Sequence, residues 1–363
     1  MAIDPNTIQP FDFRDSRLLT REITRKKSEQ MTYNVAWAPM RQVKSRNVRL
    51  HITRWNGSGL AQFRSVNANT PIMPDEGTVQ EQFIELVNLA ELTPMTEDEI
   101  LFLDSPDGRV RGRVLKDALQ RTQRLRQRNI NRSIWMAWQS VQDQLVIAYE
   151  DGGYLTVTWD LAGATYNSWF TSSHLPTAST EWNHTDADGD YDALIKDDME
   201  TWADILAIDG GVVEEEIIMH VNTRTWRIVQ ENKWLRSKLS ADRPRDIRPK
   251  RSEAAEALGI GKIEIVDSYW WDEDENVRYK HLDDGKALFT GPYIAQDGAP
   301  IVEMLDGPVV TVSGGRARVT NNAGLRAETW AREDPPMEFI RVQSARMAVL
   351  NHPEQILFAT LWS

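Results

Sequence analysis

The feature that most constrains this chain is a helical apolar stripe too long for a compact globule. From about Val110 to Val141, residues Val114, Leu115, Ala118, Leu119, Thr122, Leu125, Ile130, Ile134, Trp138 and Val141 recur at three- and four-residue steps, as on a helix with one buried face. Unbroken, it would run roughly 48 Å at 1.5 Å per residue. A compact chain of 363 residues has a radius of gyration of only about 21 Å, so the fold is predicted to be elongated. Asn129-Ile130-Asn131 is the expected kink, since Asn is a poor mid-helix residue. The remaining faces carry Arg109, Arg111, Arg113, Lys116, Arg121, Arg124, Arg126, Arg128 and Arg132 against one acid, Asp117. This strip, with Arg121, Arg124, Arg128 and Arg132 as its candidate contacts, is either a solvated face paired with acids of neighbouring elements or chains, or a surface for nucleic acid.

A second constraint lies near the C-terminus. Two strand-like runs flank the turn Asn351-His352-Pro353-Glu354, and in the later run Ile356, Phe358 and Trp362 point one way while Leu357, Ala359 and Leu361 point the other. Apolar residues on both faces predict a strand inside a sheet, with Ile356, Phe358, Leu361 and Trp362 in the core. Residues 1–30, by contrast, are polar and charge-mixed, too poor in apolar side chains to make a core, and read as an arm. Val48–Arg54 and Val79–Leu89 read as strands. Between them a Gly-, Ser-, Asn- and Pro-rich stretch from Trp55 to Gly77 is far longer than a hairpin needs. It points to a binding loop with Trp55, Phe63, Arg64 and Met73 as candidate contacts.

After the long helix the pattern continues as α+β to about Val319. A hairpin is expected at Leu145–Tyr149 and Tyr154–Trp159, an irregular stretch from Gly163 to Gly189 suits a domain boundary, and a helix from Asp190 to Ile208 stops at Gly210-Gly211. Strand Glu216–Val221, helix Thr223–Leu239, a Pro- and Arg-rich loop from Asp242 to Arg251, and strands Ile263–Trp271 and Arg278–Leu282 follow.

Little in the chain offers chemistry. The absence of cysteine excludes disulfides, Cys-based zinc sites, iron–sulfur clusters and a thiol nucleophile. A formal net charge of −12 argues against a surface that grips nucleic acid throughout and favours solubility at high concentration. No apolar run reaches the roughly 18 residues of a membrane helix, and no N-terminal signal pattern is seen, so neither a membrane span nor export by that route is expected. The histidines at 51, 174, 184, 220, 281 and 352 show no paired-ligand spacing, and no nucleophile-elbow pattern occurs. Asp186, Asp188, Asp190 and Asp197 sit at positions 1, 3, 5 and 12 of a calcium loop, but Tyr191 stands where that loop needs Gly and Asp197 where it needs a bidentate Glu. They are expected to cap a helix N-terminus instead. Gly259-Ile260-Gly261-Lys262 and Ser313-Gly314-Gly315-Arg316 lack phosphate-loop spacing and read as turns. The fourteen tryptophans are expected as core and interface anchors. No catalytic site, metal or cofactor is expected.

One further pattern bears on function. Asp334-Pro335, Glu338-Phe339 and Val342-Gln343-Ser344-Ala345, followed by a Pro-containing turn and a final apolar strand, resemble the C-terminus of the lambda-type major capsid proteins, and the resemblance is collinear over most of the chain. It implies the α+β Hong Kong 97-type capsid fold. Its parts would be an N-terminal arm (1–30), a peripheral domain (31–165) with an extended loop (about 45–90) and a spine helix (about 110–141), an axial domain (166–325), and a C-terminal return (326–363) to the peripheral domain. It further implies a virion subunit, assembled in the host cytoplasm, that builds hexamers and pentamers of an icosahedral shell around double-stranded DNA held without sequence specificity. Portal, scaffolding and decoration proteins would be its partners, with no membrane, and the 55–77 loop would reach across an adjacent subunit. Some relatives of the wider fold link a loop Lys to a neighbouring Asn; no Lys occurs here between Lys44 and Lys116, so covalent cross-linking is not expected. The competing readings are an encapsulin-like compartment for protein cargo and a Trp-rich, calcium-dependent glycan- or receptor-binding protein, with a hydrolase behind them.

Overall fold

The computed structural model describes residues 35–55, 77–103, 107–148, 153–159, 161, 170–239, 248–272, 276–295, 297–313, 316–319, 324–332 and 337–362. The expected arm at 1–30 lies outside them, as do Phe63, Arg64 and Met73.

Strands Met40–Gln42 (β1), Asn47–Trp55 (β2), Gly77–Glu85 (β3) and Val87–Met95 (β4) lead into helices Glu97–Leu103 (α1) and Gly108–Ser140 (α2). The long helix is α2. Its 33 residues span roughly 50 Å, with the Asp107 carboxylate accepting from the Arg109 N–H at 2.9 Å as its cap. Val114, Ala118, Thr122, Ile130 and Ala137 are buried along one face, and the helix runs through Asn129 without a break. Asn129 is itself buried: its Nδ2 donates to the Leu89 carbonyl at 3.1 Å and its Oδ1 accepts from the Ser344 hydroxyl at 2.7 Å. Its amide therefore bonds to neighbouring strands instead of competing with the helix backbone.

Next come Gln144–Ala148 (β5), Tyr154–Thr158 (β6), Ile195–Gly210 (α3), Ile218–Val221 (β7), Thr223–Glu231 (α4), Lys233–Leu239 (α5), Arg251–Leu258 (α6), Lys262–Ile265 (β8), Tyr269–Asp272 (β9), Val277–Lys280 (β10) and Lys286–Thr290 (β11). Val302–Gly307 (β12), Val310–Ser313 (β13), Arg316–Val319 (β14), Arg326–Arg332 (β15), Met337–Leu350 (β16) and Ile356–Thr360 (β17) follow.

Several expected elements divide or shift. Val79–Leu89 belongs to two strands, because Leu86 and Val87 are both buried and that breaks the alternation. Thr223–Leu239 is interrupted at Asn232, whose extended backbone ends α4 while its Oδ1 accepts from the N–H groups of Trp234 and Leu235 to start α5. Ile263–Trp271 stops after β8, where Asp267 turns aside to accept from the Thr223 N–H at 3.0 Å. Helix α3 begins at Ile195 instead of Asp190, since Asp186 accepts from the N–H groups of Asp188 and Asp190 and folds that stretch into a turn. Leu194, which falls just before the helix, is exposed.

Two sheets organise the chain. In the first, β16 carries β4, β12 and β15 antiparallel, and β1 adds parallel to β12. The second has the order β17-β11-β7-β8. Each has its own core: Trp37, Met136, Trp138, Leu145, Met304 and Met347 for the first, and Trp182, Met199, Trp202, Met219, Val229 and Phe289 for the second. The pairs β2–β3, β5–β6, β9–β10 and β13–β14 are separate two-stranded ribbons.

The domain boundaries differ from expectation at two strands. β12, placed within 166–325, lies in the first sheet, and β17, expected to return with 326–363 to the peripheral domain, pairs with β11 in the second. Its doubly apolar sequence explains this. Ile356 and Phe358 pack into the first core while Leu357, Ala359 and Leu361 pack into the second, so β17 is the wall the cores share. Trp362 falls past the end of the strand and joins the second core, not the face of Ile356. It lies over Gly285, where φ is +77° and a Cβ would come within 2.6 Å of the Trp362 carbonyl, so only glycine fits.

Candidate assembly site

The β2–β3 ribbon pairs from Asn47 with Glu85 to Trp55 with Gly77, and no third strand among the described residues joins it. A lone two-stranded hairpin is marginal in water. Among the described side chains, Val48, Ile84 and the following Leu86 anchor its base in the first core. Phe83 is 74% exposed, with the Arg49 guanidinium over its ring. Of the candidate loop contacts Trp55 alone falls within the described residues, at the end of the ribbon away from that base.

The four candidate arginines of α2 do not form one free patch. Arg121 pairs with Glu99 of α1, and Arg128 Nε lies 2.6 Å from Glu91 of β4. Burial works against the Glu99 carboxylate, but the Arg121 guanidinium and the Thr96 N–H outweigh it and hold its pKa below the usual range. Arg132 stacks over the Trp135 ring, and Arg124 is exposed. Arg111, Arg113 and Lys116, nearer the start of the helix, are exposed as well.

Behind this strip a buried polar cluster pins α2 to the first sheet. Arg346, only 5% exposed, lies 3.3 Å from the Asp306 carboxylate and donates to the Ser133 hydroxyl at 3.0 Å. Burial pushes the Asp306 carboxyl up, against the pull of Arg346. A second buried pair joins the two halves of the chain: His174 Nε2 sits 3.1 Å from Asp209 at the end of α3, and its Nδ1 sits 2.6 Å from the Ile356 carbonyl of β17. Both ring nitrogens thus face acceptors. Burial opposes the Asp209 carboxylate, yet His174 and the Thr171 hydroxyl and N–H keep its pKa below normal. Neither pair carried a sequence signal, because their partners are far apart along the chain.

Asp186 of the calcium-like run accepts from Lys233 Nζ at 2.8 Å, which lowers its pKa. Among the described residues no group of three His, Cys, Asp or Glu side chains is placed to hold a metal, and no helix is long and apolar enough to cross a membrane.

Residues 16–361 match the phage major capsid protein E family. No curated protein sequence matches the chain. Among solved structures it is similar to one described as the capsid protein of a prophage of E. coli CFT073, with TM-score 0.58 and 11% identity over 95% of this chain and 98% of that one. A phage-related protein from Bordetella bronchiseptica RB50 follows with TM-score 0.50 and 10% identity over 95% and 96% of the two chains. The capsid of a native GTA particle gives TM-score 0.50 and 12% identity over 92% and 91%. At such identities the likeness is one of fold, and the fold is that of the Hong Kong 97-type capsid proteins. The compartment and glycan-binding alternatives find no support. Because the family match extends to the last strand of the two-core fold, the chain belongs to the phage major capsid protein E family: it is a structural protein of the icosahedral virion shell and not an enzyme.

Proposed function

We propose that the subunit forms hexamers and pentamers of the shell in the host cytoplasm and that the shell encloses double-stranded DNA without sequence specificity, with portal, scaffolding and decoration proteins as partners. The observation that carries the assembly mechanism is the β2–β3 ribbon, nine residues in each strand, with no third strand among the described residues and its described anchors at the base. A ribbon of that kind gains its missing cover from an adjacent subunit, with the 56–76 connection and Trp55, Phe63, Arg64 and Met73 reaching over it. Deleting Asn56–Asp75 and bridging the strands with a short turn should leave folded subunits that form no shells under electron microscopy. Normal shells from that variant would overturn the mechanism.

The exposed arginines of α2 supply the DNA-facing charge. Changing Arg124 and Arg128 to Gln should leave shells assembling while retained DNA falls and its release becomes more salt-sensitive. Loss of assembly itself would show that these side chains serve protein contacts, as the Arg128–Glu91 pair does within the chain.

A further inference from the structure

Beside the second sheet lies a basic basin, apart from the ribbon and the α2 strip described above. Helix α4, the start of α6 and the start of β8 border an open depression of about 710 Å³, with buried Trp226 and Ile263 on its apolar side and Arg248, Lys250, Arg251 and Lys262 around it. In a chain of net charge −12 such a concentration is local and specific in place. Arg248 pairs with Glu231 at 2.7 Å and Lys262 with Glu264 at 2.6 Å, so these two cations are partly neutralised at the rim. The side chains of Lys250 and Arg251 are exposed and have no carboxylate partner among the described residues. Glu253, the acid in the first turn of α6, is engaged with the Lys250 N–H at 3.1 Å. The segment bearing the unpaired cations is fixed in advance: Pro249 is buried and its carbonyl accepts from Gln230 Nε2 at 2.9 Å. The N-terminal end of α6 adds to the same positive field.

We propose that this basin binds a phosphate chain, either a stretch of nucleic-acid backbone or a free polyphosphate. The depression is open and has room for several phosphates in a row, with Lys250 and Arg251 taking one and Lys262 and Arg248 the next. Gly259-Ile260-Gly261-Lys262 still acts as a turn here. Gly259 ends α6 with φ +76° and Gly261 lies against the Glu215 carbonyl, so that segment contributes the Lys262 side chain and no backbone cradle.

The test titrates unassembled full-length subunits with sodium tripolyphosphate and, separately, with a DNA duplex of about one helical turn, followed by calorimetry at low and moderate salt. Wild type should bind at least one of them. Lys250→Gln with Arg251→Gln should weaken that binding about tenfold per cation removed and flatten its salt dependence, whereas Arg111→Gln with Arg113→Gln on α2 should leave tripolyphosphate binding unchanged. Duplex binding that falls with the basin variant assigns nucleic acid, and loss confined to tripolyphosphate assigns a small polyanion; both support the basin. No binding by wild type, or equal binding by the basin variant, overturns it. Lys262→Gln serves as a second variant should the double one melt early. Shell formation is scored separately by microscopy, so a basin that binds nothing leaves the assembly reading standing.

Discussion

Strand β17 runs between the two cores with Ile356, Leu357 and Ala359 wholly buried, whereas β2 and β3 form a ribbon of their own that no other strand joins among the described residues. Both are extended segments with a hydrogen-bonded partner, yet one is covered on both faces by its own chain and the other leaves Phe83 in solvent. The difference separates two kinds of work. A strand covered within the chain stabilises the subunit, and the uncovered ribbon is the surface that the proposed assembly mechanism assigns to a neighbour.

The contrast breaks most readily at β17. Removing residues 355–363 strips Ile356, Leu357, Phe358, Leu361 and Trp362 from the cores, at about 2 to 5 kcal/mol for each large side chain. Even partial additivity exceeds the roughly 5 to 15 kcal/mol that holds a domain together. The truncated chain should be insoluble, while removal of residues 1–10 should leave a folded subunit; a soluble, cooperatively melting truncation would place β17 on the periphery.

A smaller effect is expected at the buried pair under α2. Arg346→Met leaves Asp306 without its ionic partner and should lower unfolding free energy by about 3 to 5 kcal/mol in denaturant titrations. Adding Asp306→Leu should recover much of it. If the single change is harmless, the pair is not buried as described.

Acid should act next, through two buried histidines. Burial drops the His220 pKa from 6.5 to about 4, and that of His281 likewise to about 4. The unfolded chain therefore takes up protons first, and stability present above pH 6.5 is lost as pH falls toward 4, by roughly 3 kcal/mol for each histidine. His352, at the turn into β17, works the other way. Burial opposes its charge, but Glu354 and Asp297 raise its pKa, so its contribution is present at low pH and lost as pH rises through the raised value. Melting temperatures across pH 4 to 7 should fall toward acid in wild type and flatten in His220→Gln; equal slopes would remove His220 from the account.

The smallest effect on stability belongs to the ribbon. The Asn56–Asp75 deletion should move subunit stability by no more than about 1 kcal/mol, because loop closure depends only weakly on length. A large loss would mean that the connection packs on its own subunit, and the contrast with β17 would vanish.

Features carried by local periodicity were legible before any coordinates. The stripe that makes α2 and the doubly apolar run that makes β17 survive into the structure because burial enforces each period directly. The breaks were not legible. Asn232 ends α4 only because Ala193 accepts its Nδ2 and Tyr191 accepts the next N–H, both from a distant turn. Likewise Glu91 and Glu99 meet α2 through β4 and α1, so the partners of Arg128 and Arg121 depend on a fold that residue spacing does not encode. β12 was missed since its six buried residues include Glu303 and Asp306, which disguise a core strand as a polar one.

The wall shared by the two cores also imposes an order in time. In synthesis β17 emerges after every element it packs against, so the face it gives to each core is the last part of that core to be supplied.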